Sequence, residues 1–251
     1  MNRLVLVLVL ILLLILQQSV TAQTVNTISL GGDGVDGNFR SVGFTAKFDL
    51  KKSFTKYDLT VNSAYRWSKQ SKYGTTDLLQ FENEPYISAN LAKKIGKLKF
   101  IGFTENQRSY LRSIDLRSSL GLGLGYSIVK DSLYDISISE IVLPEYYWSS
   151  DNRVYNNSTV RASTRLRVDI NKWRVKISST TMFQPAIFST RAVSFENNLT
   201  VRSTNSFDYQ VSKKAAIGLL YALTYDGYPY YINKAIKPLQ QTASIMLKYK
   251  F

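Results

Sequence analysis

The chain has 251 residues and a formal charge of +14, with 17 Tyr and 12 Phe but only 5 Pro and 3 Met, and it contains neither Cys nor His. Without Cys, a disulfide framework and a thiolate metal site are excluded; without His, the base used by most hydrolase and acyltransferase sites is missing. A composition rich in Tyr and Phe favours strands over helices, so the expectation is an all-β protein with no cofactor, no metal site and no enzymatic activity.

Residues 1–22 read as an export signal. Met1-Asn2-Arg3 supplies a short positive start, Leu4 to Leu16 is an unbroken aliphatic run, and Val20-Thr21-Ala22 offers the small residues that signal peptidase requires, placing cleavage near Ala22, before Gln23. The run is too short to cross a bilayer core, which needs about 20 residues. Removing Arg3 lowers the charge from +14 to +13.

Residues 23–251 contain no second long apolar run, so membrane crossing must be by strands in a closed wall. The sequence alternates accordingly. Val42, Phe44, Ala46, Phe48 and Leu50 oppose Ser41, Gly43, Thr45, Lys47 and Asp49; Tyr57, Leu59, Val61, Tyr65 and Trp67 oppose Asp58, Thr60, Asn62 and Arg66. Further on, Leu116, Leu120, Leu122, Leu124, Tyr126 and Ile128 oppose Arg117, Ser119, Gly121, Gly123 and Gly125, and Val160, Ala162, Leu166, Val168 and Ile170 oppose Arg161, Ser163, Arg165, Arg167 and Asp169. Trp173, Val175 and Ile177 oppose Arg174, Lys176 and Ser178, and Ala215 to Tyr225 supplies another apolar face. These segments exceed the usual globular strand of about 5 to 6 residues and carry Tyr or Trp at their ends, where the aromatic girdles of membrane barrels sit.

Connections alternate in length. Short ones fall at Lys51-Lys52-Ser53, Lys93 to Gly96, Lys130-Asp131-Ser132, Asn171-Lys172 and Ser212-Lys213-Lys214; longer ones at Lys69 to Thr76, Ser109 to Ile114, Pro144 to Tyr155, Phe188 to Ala192 and Gly227 to Leu239. With Thr27 to Gly32 as a weak first strand, followed by a loop at Gly31-Gly32-Asp33-Gly34 and Gly37-Asn38, the fold expected is a single transmembrane antiparallel up-and-down β-barrel of twelve strands with both termini in the periplasm. Ten strands is the alternative. The closing strand, Thr242 to Phe251, sets Ala243, Ile245, Leu247, Tyr249 and Phe251 on one face, which resembles the insertion signal read by the outer-membrane barrel assembly machinery, with Tyr249 and Phe251 as its residues.

Several motifs carry a family resemblance: Gly37-Asn38, the Arg-rich lead into a Gly-alternating strand (Arg112 to Tyr126), and the ending Lys248-Tyr249-Lys250-Phe251. On these the chain resembles the YdiY-like, salt-induced outer-membrane protein family, a domain of unknown function, from Ile28 to Phe251. The resemblance implies an outer-membrane β-barrel and transfers no catalytic residue.

Two charged sets are candidates for function. Glu82 and Glu84 share a strand face on which a carboxylate pair could act as acid and base; pairing with Arg66 on the neighbouring strand is the favoured reading. Arg161, Arg165, Arg167, Arg174, Lys176, Arg202, Lys248 and Lys250 fall on the polar faces of late strands, with Asp169 and Glu196 too few to neutralise them. A basic lumen would attract small anionic solutes, whereas a filled barrel would hold the same Arg side chains in internal bridges. Other Lys, including Lys51, Lys52, Lys93, Lys94, Lys213 and Lys214, fall in turns facing the phosphates of outer-membrane lipid and lipopolysaccharide. Export argues against nucleic acid as a partner. An anion-attracting pore or solute-binding barrel and a non-conducting structural or partner-binding barrel are the two functions compatible with the sequence.

Overall fold

The computed structural model describes residues 23–36, 39–72, 78–109, 114–149, 157–190, 198–227 and 239–251. The predicted signal segment, Gly37-Asn38, Glu196 and most of the long-loop residues lie outside these.

Thirteen strands follow in chain order: β1 (Gln23–Asp36), β2 (Phe39–Ser53), β3 (Tyr57–Lys72), β4 (Leu78–Ile95), β5 (Leu98–Ser109), β6 (Ile114–Lys130), β7 (Tyr134–Trp148), β8 (Asn157–Lys172), β9 (Val175–Gln184), β10 (Ala186–Ser189), β11 (Thr200–Gln210), β12 (Ala215–Asp226) and β13 (Leu239–Lys250). Each pairs antiparallel with its sequence neighbour through β9; β11 to β13 continue the ladder, and β1 pairs with β13, so the sheet closes on itself. β9 and β10 are one stave, broken at Pro185, which has no N–H to give to a ladder. The barrel therefore has twelve staves, and the ten-strand alternative is excluded because β1 is hydrogen-bonded on both sides, to β2 and to β13.

Burial inverts the arrangement of a water-soluble sheet. Polar Ser29, Asp33, Thr45, Ser68, Ser88 and Ser163 are buried inside the barrel, while Leu30, Phe44, Leu122, Leu124, Ile245 and Leu247 are exposed on its outside. Outward Tyr57, Tyr126, Tyr134, Tyr209 and Tyr249 mark one edge of the apolar band and Tyr65, Trp67, Tyr146 and Trp148 the other. Along β7, Tyr134 and Tyr146 are separated by a height of roughly 28 Å, taking a rise near 3.3 Å per residue and a tilt near 45°, which matches a bilayer core of about 30 Å. The turns at 54–56, 96–97, 131–133, 173–174 and 211–214 and both described termini share the Tyr134 end, termed the inner end below; the other strand ends face the outer end.

Two sequence expectations are corrected. Gly31, Gly32 and Gly34 belong to β1 instead of its loop. Gly31 is required there because a Cβ would collide with the Ile245 carbonyl on β13, so the backbone can approach closely only without a side chain. The β8–β9 turn sits at Trp173-Arg174, two residues later than predicted, with Trp173 in the left-handed region at φ 56° and Lys172 paired with Val175. Arg174 is thus in an exposed turn, off the polar strand face assigned to it.

Candidate functional site: the charged lumen

The outer half of the lumen holds a layer of ion pairs. Arg117 on β6, only 2% exposed, donates through Nε to Glu145 Oε2 on β7 (2.7 Å) and through Nη1 to Asp226 Oδ2 on β12 (2.9 Å). Arg161 on β8 shares the same Glu145 through Oε1 at 3.0 Å. Arg202 on β11 donates to Glu105 Oε1 on β5 at 2.7 Å, and the Tyr86 hydroxyl donates to the other oxygen of Glu105 at 3.1 Å. β5 and β11, like β6 and β12, stand on opposite sides of the wall, so Arg202–Glu105 and Arg117–Asp226 run straight across the barrel. Three guanidiniums meet three carboxylates here. Buried charge is tolerated only when so matched, since the desolvation of each ion costs several kcal/mol.

Arg161 has a second task. Its Nη1 donates to the carbonyls of Asn198 (2.5 Å) and Gln184 (3.2 Å), two acceptors exposed where the ladder between β9 and β11 ends at the Pro185 break.

Beside this layer the wall is thin. Gly121, Gly123 and Gly125 face inward on β6, and Cβ atoms there would run into Ile141 and Leu143 of β7 or Ile101 of β5. Those side chains and Phe103 form a small apolar cluster inside the barrel, and the Arg165 guanidinium stacks on the Phe103 ring at 3.9 Å. Arg165 Nε donates to Ser163 Oγ, but its Nη2 is buried without a hydrogen-bond partner.

The inner half is different. Two cavities of ≈ 380 and ≈ 490 Å³ lie between this cluster and the inner end, lined together by eleven Lys and Arg side chains against five Asp. Some are paired: Arg167 with Asp169 (2.6 Å), Lys248 with Asp208 (2.5 Å), Lys94 with Asp58 (2.7 Å). The excess is cationic.

The predicted basic set therefore divides. Arg161 and Arg202 are in the neutral outer layer; Arg165, Arg167, Lys176, Lys248 and Lys250 line the inner cavities; Arg174 is in a turn. The expectation that carboxylates are too few is corrected for the outer half, where Glu105, Glu145 and Asp226 point inward. Arg66 pairs with Asp33 of β1 at 2.5 Å, with Thr45 also bonded to that carboxylate, and Glu84 accepts from Gln107. The Glu82 side chain lies outside the described residues. Tyr249 and Phe251 are exposed on the outside, and the Phe251 N–H closes the seam on Asn26 O at 3.2 Å.

Glu105, Tyr86, Glu145 and Asp226 were not singled out from sequence. For Glu105 the signal was masked, because Ile101 and Phe103 make β5 apolar on both faces.

Residues 28–251 match the family model described as protein of unknown function DUF481. The chain belongs to that family. No curated protein matches it in sequence. Among solved structures it is similar to the NanC porin, at 10% identity and a TM-score of 0.56, over 89% of this chain and 100% of that one. It is also similar to the COG4313 outer membrane channel from Pseudomonas putida F1, at 8% identity and a TM-score of 0.54, over 91% and 95%. At such identities the likeness is one of fold: a closed antiparallel barrel of the outer-membrane type.

Proposed function

We propose that this DUF481 barrel resides in the outer membrane and gathers small anions in a basic vestibule facing the periplasm, with passage to the outside limited by the ion-pair layer. The observation that carries this reading is the uneven distribution of lumen charge: eleven cations against five carboxylates around the inner cavities, beside a matched layer above. Cations held between low-dielectric walls concentrate anions, and Arg165, with its free Nη2, is the deepest anchor for one.

Export with cleavage near Ala22, insertion through the barrel assembly machinery by way of Tyr249 and Phe251, and contact of Lys52 and Lys93 with lipid and lipopolysaccharide phosphates belong to the same proposal, whereas Lys51, Lys94, Lys213 and Lys214, expected in phosphate-facing turns, line the inner cavities instead. So does a place in the YdiY-like, salt-induced branch of the family, which the Gly-alternating strand supports. No step of this reading needs an enzyme.

Planar-bilayer recording of refolded 23–251 tests it. Small, anion-selective currents are expected, with the reversal potential in a salt gradient shifted toward that of the anion. Cation selectivity would overturn the assignment. The two pairs that cross the lumen favour a second reading, a non-conducting barrel, which complete absence of current in both the wild type and D226N would select.

A further inference from the structure

A polar stripe crosses the outside of the barrel at the depth where the wall should be most apolar. Glu140 on β7 points outward, midway in sequence between the girdle residues Tyr134 and Tyr146, and accepts a hydrogen bond from Thr164 Oγ1 on β8 at 2.6 Å. One diagonal step further, Thr181 and Ser179 of β9 face outward and pair with Ser203 and Asn205 of β11: Thr181 Oγ1 to Ser203 Oγ at 3.2 Å, Ser179 Oγ to Asn205 Oδ1 at 2.8 Å, and Asn205 Nδ2 to Ser203 Oγ at 3.2 Å. On the opposite wall, formed by β1 to β3, the same band is filled by Leu30, Phe44 and Phe48, broken by lone hydroxyls such as Ser63.

Lipid chains satisfy none of these groups. An ionisable side chain at mid-bilayer is costly by about 2.5 kcal/mol or more and is found where it meets a polar partner, and Ser, Thr and Asn on a lipid-facing surface join transmembrane elements by hydrogen bonds. Thr164 gives Glu140 one donor, leaving a carboxylate with most of its acceptor capacity unused. At the far end of the stripe Asn205 has a second N–H beyond the one used on Ser203.

We infer that this face, centred between β8 and β9, is the contact between two copies of the chain in the membrane. The stripe is self-complementary. It has an acceptor at one end, a donor at the other and hydroxyls, which serve as either, between them. A two-fold axis along the bilayer normal at Thr164 and Thr181 sets Glu140 of each copy opposite Asn205 of the other, at equal depth, as an isologous contact requires. A partner standing in the aqueous phase cannot reach this depth, and a lipid has no matching groups there.

Because the chain has no Cys, single-cysteine cross-linking gives a clean test in lipid vesicles at low protein-to-lipid ratio. T164C is expected to form a disulfide-linked dimer under mild oxidation, and F44C on the opposite wall is not. Sedimentation of the wild type in detergent or nanodiscs should report a dimer that E140L and N205L each weaken by about tenfold, the effect of a few membrane hydrogen bonds duplicated by symmetry. Both variants add apolar surface to a lipid-facing wall, so the barrel itself is expected to fold, which retention of its heat-resistant gel mobility would verify. A monomeric wild type, or cross-linking at F44C equal to that at T164C, would overturn the inference.

Discussion

In the outer half of the lumen Arg117, Arg161 and Arg202 meet Glu145, Asp226 and Glu105, and the two sets cancel; in the inner half Lys and Arg outnumber Asp by about two to one. The same residue types thus do opposite things over a short distance. Where the walls are bridged, charge is buried, so each ion demands a partner and the layer behaves as structure. Where cavities leave the side chains room for water, cations need no carboxylate partner. On the proposed function, what would distinguish a structural Arg from one that gathers a ligand is hydration, which the identity of the residue does not reveal.

Substitutions can break that contrast, and the largest effect is expected at Glu145, the carboxylate shared by Arg117 and Arg161. E145A removes a carboxylate from two buried guanidiniums, leaving Arg117 with Asp226 alone and Arg161 with carbonyl acceptors alone, and should lower stability by about 3 kcal/mol, read as the urea midpoint for unfolding from lipid vesicles; an unchanged midpoint would mean the layer is hydrated. Next comes D226N, which cuts one pair across the lumen while Arg117 keeps Glu145. A several-fold rise in single-channel conductance is expected, with a smaller stability loss of roughly 1–2 kcal/mol.

On the other side of the contrast, combined K51E, K99E and K176E should turn anion preference into cation preference in the same recordings. Stability should shift by less than about 1 kcal/mol per site, as for solvated charges. If these charges proved as costly as Glu145, the inner half would be packed in the manner of the outer. The smallest expected effect is that of salt. Raising ionic strength from about 0.1 to 1 M shortens the Debye length from about 10 to 3 Å, which should erode anion selectivity while leaving the unfolding midpoint of the wild type nearly unchanged.

Much of the wall was legible in the sequence because one face meets lipid. β2, β6 and β8 alternate cleanly, since Val42, Leu122 and Leu166 point out while Thr45, Arg117 and Arg161 point in. β5 and β7 were harder to read, for Ile101, Phe103, Ile141 and Leu143 turn inward to fill the hollow left by the β6 glycines. Parity placed Arg161, Arg165 and Arg202 in the lumen but could not say which carboxylate each would meet. Arg117 and Asp226 are 109 residues apart and come together only through closure of the barrel. The Gly31 region was misread as a loop because a glycine that admits a neighbouring backbone looks the same in sequence as one that turns a chain.

The Pro185 break makes Arg161 the junction of two separate integrities. Its Nε belongs to the ion-pair layer of the lumen, and its Nη1 holds the carbonyls where β9 and β11 part company. An anion climbing from the vestibule that captured this guanidinium would unlatch the lumen and loosen the outer rim of the wall in one event. The lumen layer and the rim therefore meet in a single side chain, and a change at Arg161 is felt at both.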